Sequence, residues 1–164
     1  MNNVVYYERV DMKKIVICII VSIFPVLLPA QTATELEIIL ETEAVTCAQA
    51  AKFVLYSSKA ANVSLENFAR QPHPEYLWAL ANGWLKFASE DDPISLSNLS
   101  FLLMRAFNMK GGLMYRIFPG PRYAYRSMIS RNYIQGIADP AMKLDGSRFL
   151  LILGRVLNVE GDEQ

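Results

Sequence analysis

Histidine occurs once in this chain, as His73, and cysteine twice, as Cys18 and Cys47. A zinc site of the usual Cys and His type needs more such ligands than that, so protein-only zinc binding is excluded and no metal site is expected. Cys18 falls within an apolar leader, which leaves Cys47 alone after export and rules out an intrachain disulfide even in an oxidising compartment. Net charge is lacking as well. Sixteen Lys and Arg stand against 16 Asp and Glu, so no overall field draws the chain to nucleic acid or to a membrane surface. Nucleophile elbows, phosphate loops and metal-ligand spacings are missing. The one histidine base on offer, His73, sits between Pro72 and Pro74 in a sequence suited to a helix-opening turn. Neither a cofactor nor an enzymatic activity is expected.

What is present begins with "MKKIVICIIVSIFPVLLPAQTA": Lys13 and Lys14, an uncharged apolar run from Ile15 to Leu28, then small residues. That is the layout of an export signal. The run falls short of the ~20 residues of a spanning helix and Pro25 interrupts it, so cleavage after Ala30 or Ala33 is expected in place of a permanent anchor. Residues 1–33 thus read as a signal peptide with its true start at Met12, and the destination as periplasm or cell envelope. Contact with the membrane is expected through an uncleaved signal segment, if at all.

The rest of the chain repeats itself. "VTCAQAAKFVLYSS" (Val45 to Ser58), "ISLSNLSFLLMRAF" (Ile94 to Phe107) and "LDGSRFLLILGRVL" (Leu144 to Leu157) align without a gap, 49 and then 50 residues apart. Self-similarity at such a period signals repeated supersecondary units. Each copy opens with an apolar residue followed by Thr46, Ser95 or Asp145, whose side-chain oxygen suits the free amides of a first helical turn. Phe149, Ile152, Leu153, Val156 and Leu157 then follow helical spacing, as do Leu99, Leu102, Leu103, Ala106 and Phe107. The first copy keeps only Ala50, Phe53 and Val54 of this stripe. Arg105 and Arg155 are placed for a last helical turn, where a cation meets the negative helix end.

A partner helix precedes each later copy: Pro72 to Lys86 and Pro121 to Gln135, with Tyr76 over Tyr125 and Trp84 over Tyr133. No such pair buries its apolar stripe alone, so the units are predicted to pack around a shared centre as one all-helical domain over 34–158. "VSLENFARQ" predicts a short helix capped by Ser64. "MKGGLMYRIFPGP" reads as loop or extended segment, and residues 159–164 as a disordered tail.

Phe118 to Leu157 resembles one S-layer homology repeat: an aromatic-Ala-Tyr helix start, a Gly-Ile pair (Gly136, Ile137) at the helix end, and a capped helix ending in Leu-x-Arg-x-Leu. Pro72 to Phe107 resembles a second copy and Val45 to Ser58 the closing helix of a first. The resemblance implies an exported, all-α domain of three helical repeats about a pseudo-threefold centre, binding cell-wall polysaccharide without catalysis. In that family the capped helix typically begins Thr-Arg-Ala-Glu, the arginine meeting an anionic sugar. Here those positions read Thr46, Cys47, Ala48, Gln49; Ser95, Leu96, Ser97, Asn98; and Asp145, Gly146, Ser147, Arg148. The cap is kept and the Arg and Glu are not.

Charge is unevenly spread: Glu35, Glu37, Glu41 and Glu43 crowd the front, while no carboxylate lies between Lys110 and Ala138. Within that basic stretch Arg116, Arg122, Tyr123, Tyr125, Arg126 and Arg131 are the candidate ligand-binding residues, guanidinium donors interleaved with stacking rings. Tyr125 and Tyr133 equally suit core packing, given their repeat mates Tyr76 and Trp84. The expected partner is a cell-wall polysaccharide or another envelope protein.

Overall fold

The computed structural model describes residues 33–58, 65, 67–86 and 89–162. All of the expected signal segment except Ala33, and Ser64 with its expected helix start, lie outside the described residues. The chain divides into two units, Met1–Ile38 and Ile39–Gln164. Residues 33–38, the described part of the first, are helical and begin helix α1 (33–41). The described residues are all-α, with seven helices and no strand. After α1 come α2 (Cys47–Ser57), α3 (Pro74–Ala81), α4 (Leu96–Ala106), α5 (Leu113–Ile117), α6 (Pro121–Ser130) and α7 (Gly146–Asp162).

Three of these helices start on a polar cap. Thr46 Oγ1 accepts from Gln49 N at 3.2 Å while Gln49 Oε1 accepts from Thr46 N at 3.0 Å, a reciprocal capping box. Ser95 Oγ accepts from Asn98 N at 3.3 Å, and Asp145 Oδ1 from Arg148 N at 2.7 Å. Hydrogen bonds from Ser147 and from the Arg148 amide hold the Asp145 carboxyl below its usual range, so it remains an ionised cap.

The same three starts are laced together in a cycle. Cys47 N donates to Asp92 O at 2.9 Å, Leu96 N to Met142 O at 2.9 Å, and Gly146 N to Thr42 O at 2.8 Å. Each first-turn amide, an orphan by helix geometry, is thus taken by a carbonyl in the loop ahead of another capped helix. Val45, Ile94 and Leu144, the residues before the caps, are fully buried inside this ring. Thr46→Ala removes the hydroxyl half of one capping box, leaving the backbone amide at 46 to donate to Gln49 Oε1, and is expected to cost about 1 kcal/mol; urea melts of the variant measure it, and an unchanged midpoint refutes the cap's contribution.

Helix ends differ from the sequence expectation. Stripes ending in Trp84, Leu85, Tyr133 and Ile134 predict helices to Lys86 and Gln135, yet α3 stops at Ala81 and α6 at Ser130. Gly83, Asn108 and Asn132 adopt φ of 67°, 50° and 61°, and the residue after each bonds back five positions: Trp84 to Ala79, Met109 to Met104, Tyr133 to Met128. These are Schellman turns, which fold the following apolar side chain back onto the last turn of its own helix. Asn and Gly are the residues that tolerate this left-handed backbone. Gly136, assigned from the resemblance to a helix end, lies well beyond α6, and Ile137 beside it is exposed.

Further corrections concern the connectors. α3 opens at Pro74 instead of Pro72, because His73 takes a left-handed conformation (φ 51°) that places Pro72 outside. The segment read as loop contains α5, and residues 67–71 form turns and bends in place of the expected helix. α7 continues through 159–162, where a disordered tail was expected, so Arg155 is not in a last turn. It donates instead to Tyr133 O at 3.2 Å, tying α7 to the turn after α6.

Packing joins successive pairs: α3 lies on α2, α6 on α4, and α2 touches α4. The edge of Phe149 on α7 meets Phe53 on α2, ring centroids 6.1 Å apart. One cluster of buried apolar side chains runs through all of these elements and includes Ile39. Residues 39–42 contribute Ile39 to this core and Thr42 O to the ring of helix starts.

Candidate functional site

A groove of about 270 Å³ runs between α5 and α6, lined by Gly112, Leu113, Met114, Tyr115, Tyr123, Arg126, Ser127 and Ser130. α5 is held there by three devices. Gly112 N donates to Ser127 Oγ at 3.2 Å. Tyr115, the one buried residue of α5, sets its ring edge against Phe101 of α4 at 6.3 Å. Gly111 lies so close beneath that ring that a Cβ there would stand 2.3 Å from it. With Tyr115 turned inward, helical spacing turns Leu113, Met114 and Ile117 outward, and all three are exposed, as is Phe118.

Only part of the sequence-predicted set comes together. Tyr123, half-buried, and Arg126, exposed, line the groove one turn apart on α6. Arg122 and Arg131 are exposed at the two ends of α6 and Arg116 is exposed on α5, none of them lining the groove. Tyr125 is buried and its hydroxyl donates to Ala138 O at 2.9 Å, so it is a packing residue and not a ligand group. Tyr133 is likewise buried. Sequence reasoning missed Ser127, Ser130 and the α5 residues; the i, i+3, i+4, i+7 spacing of Tyr123, Arg126, Ser127 and Ser130 is the signal that marks one helix face.

The groove offers one aromatic face, one guanidinium, the Ser130 hydroxyl on its rim, and apolar walls. The Tyr115 hydroxyl is buried with no hydrogen-bond partner among the described residues. Burial pushes this phenol above its ordinary range, opposed by the Arg105 cation, so it stays protonated as a neutral donor. Such a lining can stack on a ring and donate hydrogen bonds; it holds no paired acid and base for proton transfer.

The positions resembling the family's sugar-binding arginine are closed. Cys47 and Leu96 are fully buried, and a Cβ on Gly146 would fall 1.5 Å from Ile39 O. Burial, with the Asp92 charge adding and Lys143 opposing, raises the Cys47 thiol to about 11, which makes it a packing residue and not a nucleophile. Arg148, which does carry a guanidinium, donates to Ile137 O. The acidic loop is structural too: Asp92 Oδ2 accepts from Ser89 N at 2.7 Å and the carbonyls of Glu90 and Asp92 receive the first amides of α2. Among the described residues no three His, Cys, Asp or Glu side chains gather to hold a metal ion, and no helix is long and apolar enough to cross a membrane.

No protein-family model matches the chain, and no curated protein or solved structure matches it.

Proposed function

We propose that this protein is an exported, non-catalytic binding module of the cell envelope, related in architecture to S-layer homology domains, and that it holds an envelope polysaccharide in the α5–α6 groove. The observation that carries the reading is the pairing of Tyr123 and Arg126 on one wall of that groove, a stacking ring beside a planar donor. Its volume of about 270 Å³ is near the lower end of small-ligand pockets, ~300 Å³, which suits a sugar unit or two presented from a polymer. The cyclic lacing of three capped helix starts supports the repeat architecture. Loss of the family's arginine positions moves ligand recognition from the helix starts to the α5–α6 face.

The test is co-sedimentation of the purified protein with purified cell wall. Tyr123→Ala with Arg126→Ala is expected to lower the bound fraction at least tenfold, since stacking and a charge-assisted hydrogen bond are each worth about 1 kcal/mol or more. Both residues are at least partly exposed, so the variant keeps its helical circular dichroism. Undiminished sedimentation of the folded variant rejects the groove as the site.

A second reading, a module that docks protein, is favoured by a different observation. Leu113, Met114, Ile117 and Phe118 are 70%, 47%, 56% and 60% exposed within one short segment. A contiguous apolar surface of this kind on a charged background marks interaction sites.

A further inference from the structure

The apolar surface of α5 does not stand alone. Lys110, Arg116, Arg122, Arg126 and Arg131 surround it in sequence, all exposed, and no carboxylate interrupts the stretch between Lys110 and Ala138. Whatever covers this face must bring apolar side chains and negative charge together. The chain carries such a segment itself. At the end of α1, Leu40 (54% exposed) and Glu41 stand side by side on the surface, with exposed Glu43 two residues on, while Ile39 beside them is buried. This α1 face is therefore an acidic, leucine-bearing patch, and the α5 face a basic, apolar one.

We infer that copies of this chain associate head to tail, the acidic leucine face of α1 on one copy seating on the basic apolar face of α5 and the start of α6 on the next. The inference rests on the second reading above, that this face docks protein, and names the partner as a second copy. Like charges set against each other would oppose pairing of two α5 faces or of two α1 faces, whereas the unlike pair is attractive in both its charges and its apolar groups. Because the two faces differ, the contact is heterologous; copies add in sequence and close into a ring or extend as a filament.

Reciprocal charge reversal tests this on protein purified from cells expressing the full chain. Wild-type protein is expected to sediment as dimers and larger species whose proportion rises with concentration and falls as salt increases, because the attraction between the exposed charges is screened. Glu41→Lys with Glu43→Lys, and separately Arg116→Glu with Arg122→Glu, are each expected to give single chains with unchanged circular dichroism. Mixed in equal amounts, the two variants regain the assembled species, since each altered face now meets its complement. The α1 variant alters no groove residue, so its wall binding reports separately on the groove. A wild-type protein that stays a single chain at every concentration overturns the inference, as do folded variants that assemble alone or fail to assemble together. A single-chain protein that forms a defined crosslink through Leu113 to a different envelope protein would overturn the choice of partner while leaving the docking reading intact.

Discussion

Gly146→Ala is expected to destabilise the protein by about 3 kcal/mol or more, a loss that lowers the melting temperature by roughly 10 °C. The added Cβ would lie 1.5 Å from Ile39 O, 2.5 Å from the carbonyl carbon and 3.2 Å from Leu40 N. All three are main-chain atoms, so no rotamer change relieves the overlap. Either α7 or the 39–42 segment must move, and the 2.8 Å bond from Gly146 N to Thr42 O is lost or stretched with it. That bond is one of the three that lace the helix starts, and Ile39 beside it is in the core, so the damage spreads beyond one contact. Gly154→Ala supplies the contrast. Its Cβ meets nothing within 4 Å in the middle of α7, and the substitution is expected to stabilise by about 0.5–1 kcal/mol through helix propensity alone. Thermal melts of the two variants beside the wild type decide it: a Gly146→Ala melting point within a degree or two of wild type means that the backbone approach is not what it is described to be.

The positions that follow the three caps share one feature. At Gly146 another stretch of backbone occupies the space a side chain would need, and Cys47 and Leu96 are both buried, so none of the three presents a side chain to solvent.

The three capped helix starts were legible in the sequence because their chemistry is local. A hydroxyl or carboxylate one residue before a helix caps it wherever the helix packs, and Thr46, Ser95 and Asp145 do so. Helix ends were not, since the apolar stripes of Trp84 and Tyr133 run past the true stops. Their burial comes from the Schellman turns at Gly83 and Asn132, which return the next side chain to the same face by a left-handed step instead of another helical turn. The Asn-Gly at 82–83 and the Asn at 132 were the available signals. α5 was obscured for another reason. Five residues show no periodicity, and the glycines before it read as turn formers, although Gly111 is there because Tyr115 lies on it. The basic aromatic stretch was visible as composition, yet which of its members line a groove depends on how α6 sits on α4, a tertiary fact. Tyr125 and Tyr123, two residues apart, fall on opposite sides of that question.

Phe149→Ala tests the shared centre itself. Positions 50, 99 and 149 correspond in the three copies, and Ala50, Leu99 and Phe149 are all fully buried in one cluster. The first copy's weak stripe is therefore compatible with a full core: a small residue on α2 accompanies the largest on α7, whose ring reaches Phe53 at 6.1 Å. Truncating Phe149 removes the ring, its edge contact and its packing at once, and the surrounding helices, laced at their starts, have little freedom to close the gap. A cost of about 3–5 kcal/mol is expected in urea unfolding, at the level of the largest core truncations. Leu151→Ala, two residues along the same helix but 54% exposed, is expected to change stability by no more than about 0.5 kcal/mol. If Phe149→Ala costs no more than Leu151→Ala, the three capped helices do not share a core through this position, and the repeat architecture loses its physical basis. A large loss at Phe149 with none at Leu151 places the centre of the fold where the three copies coincide.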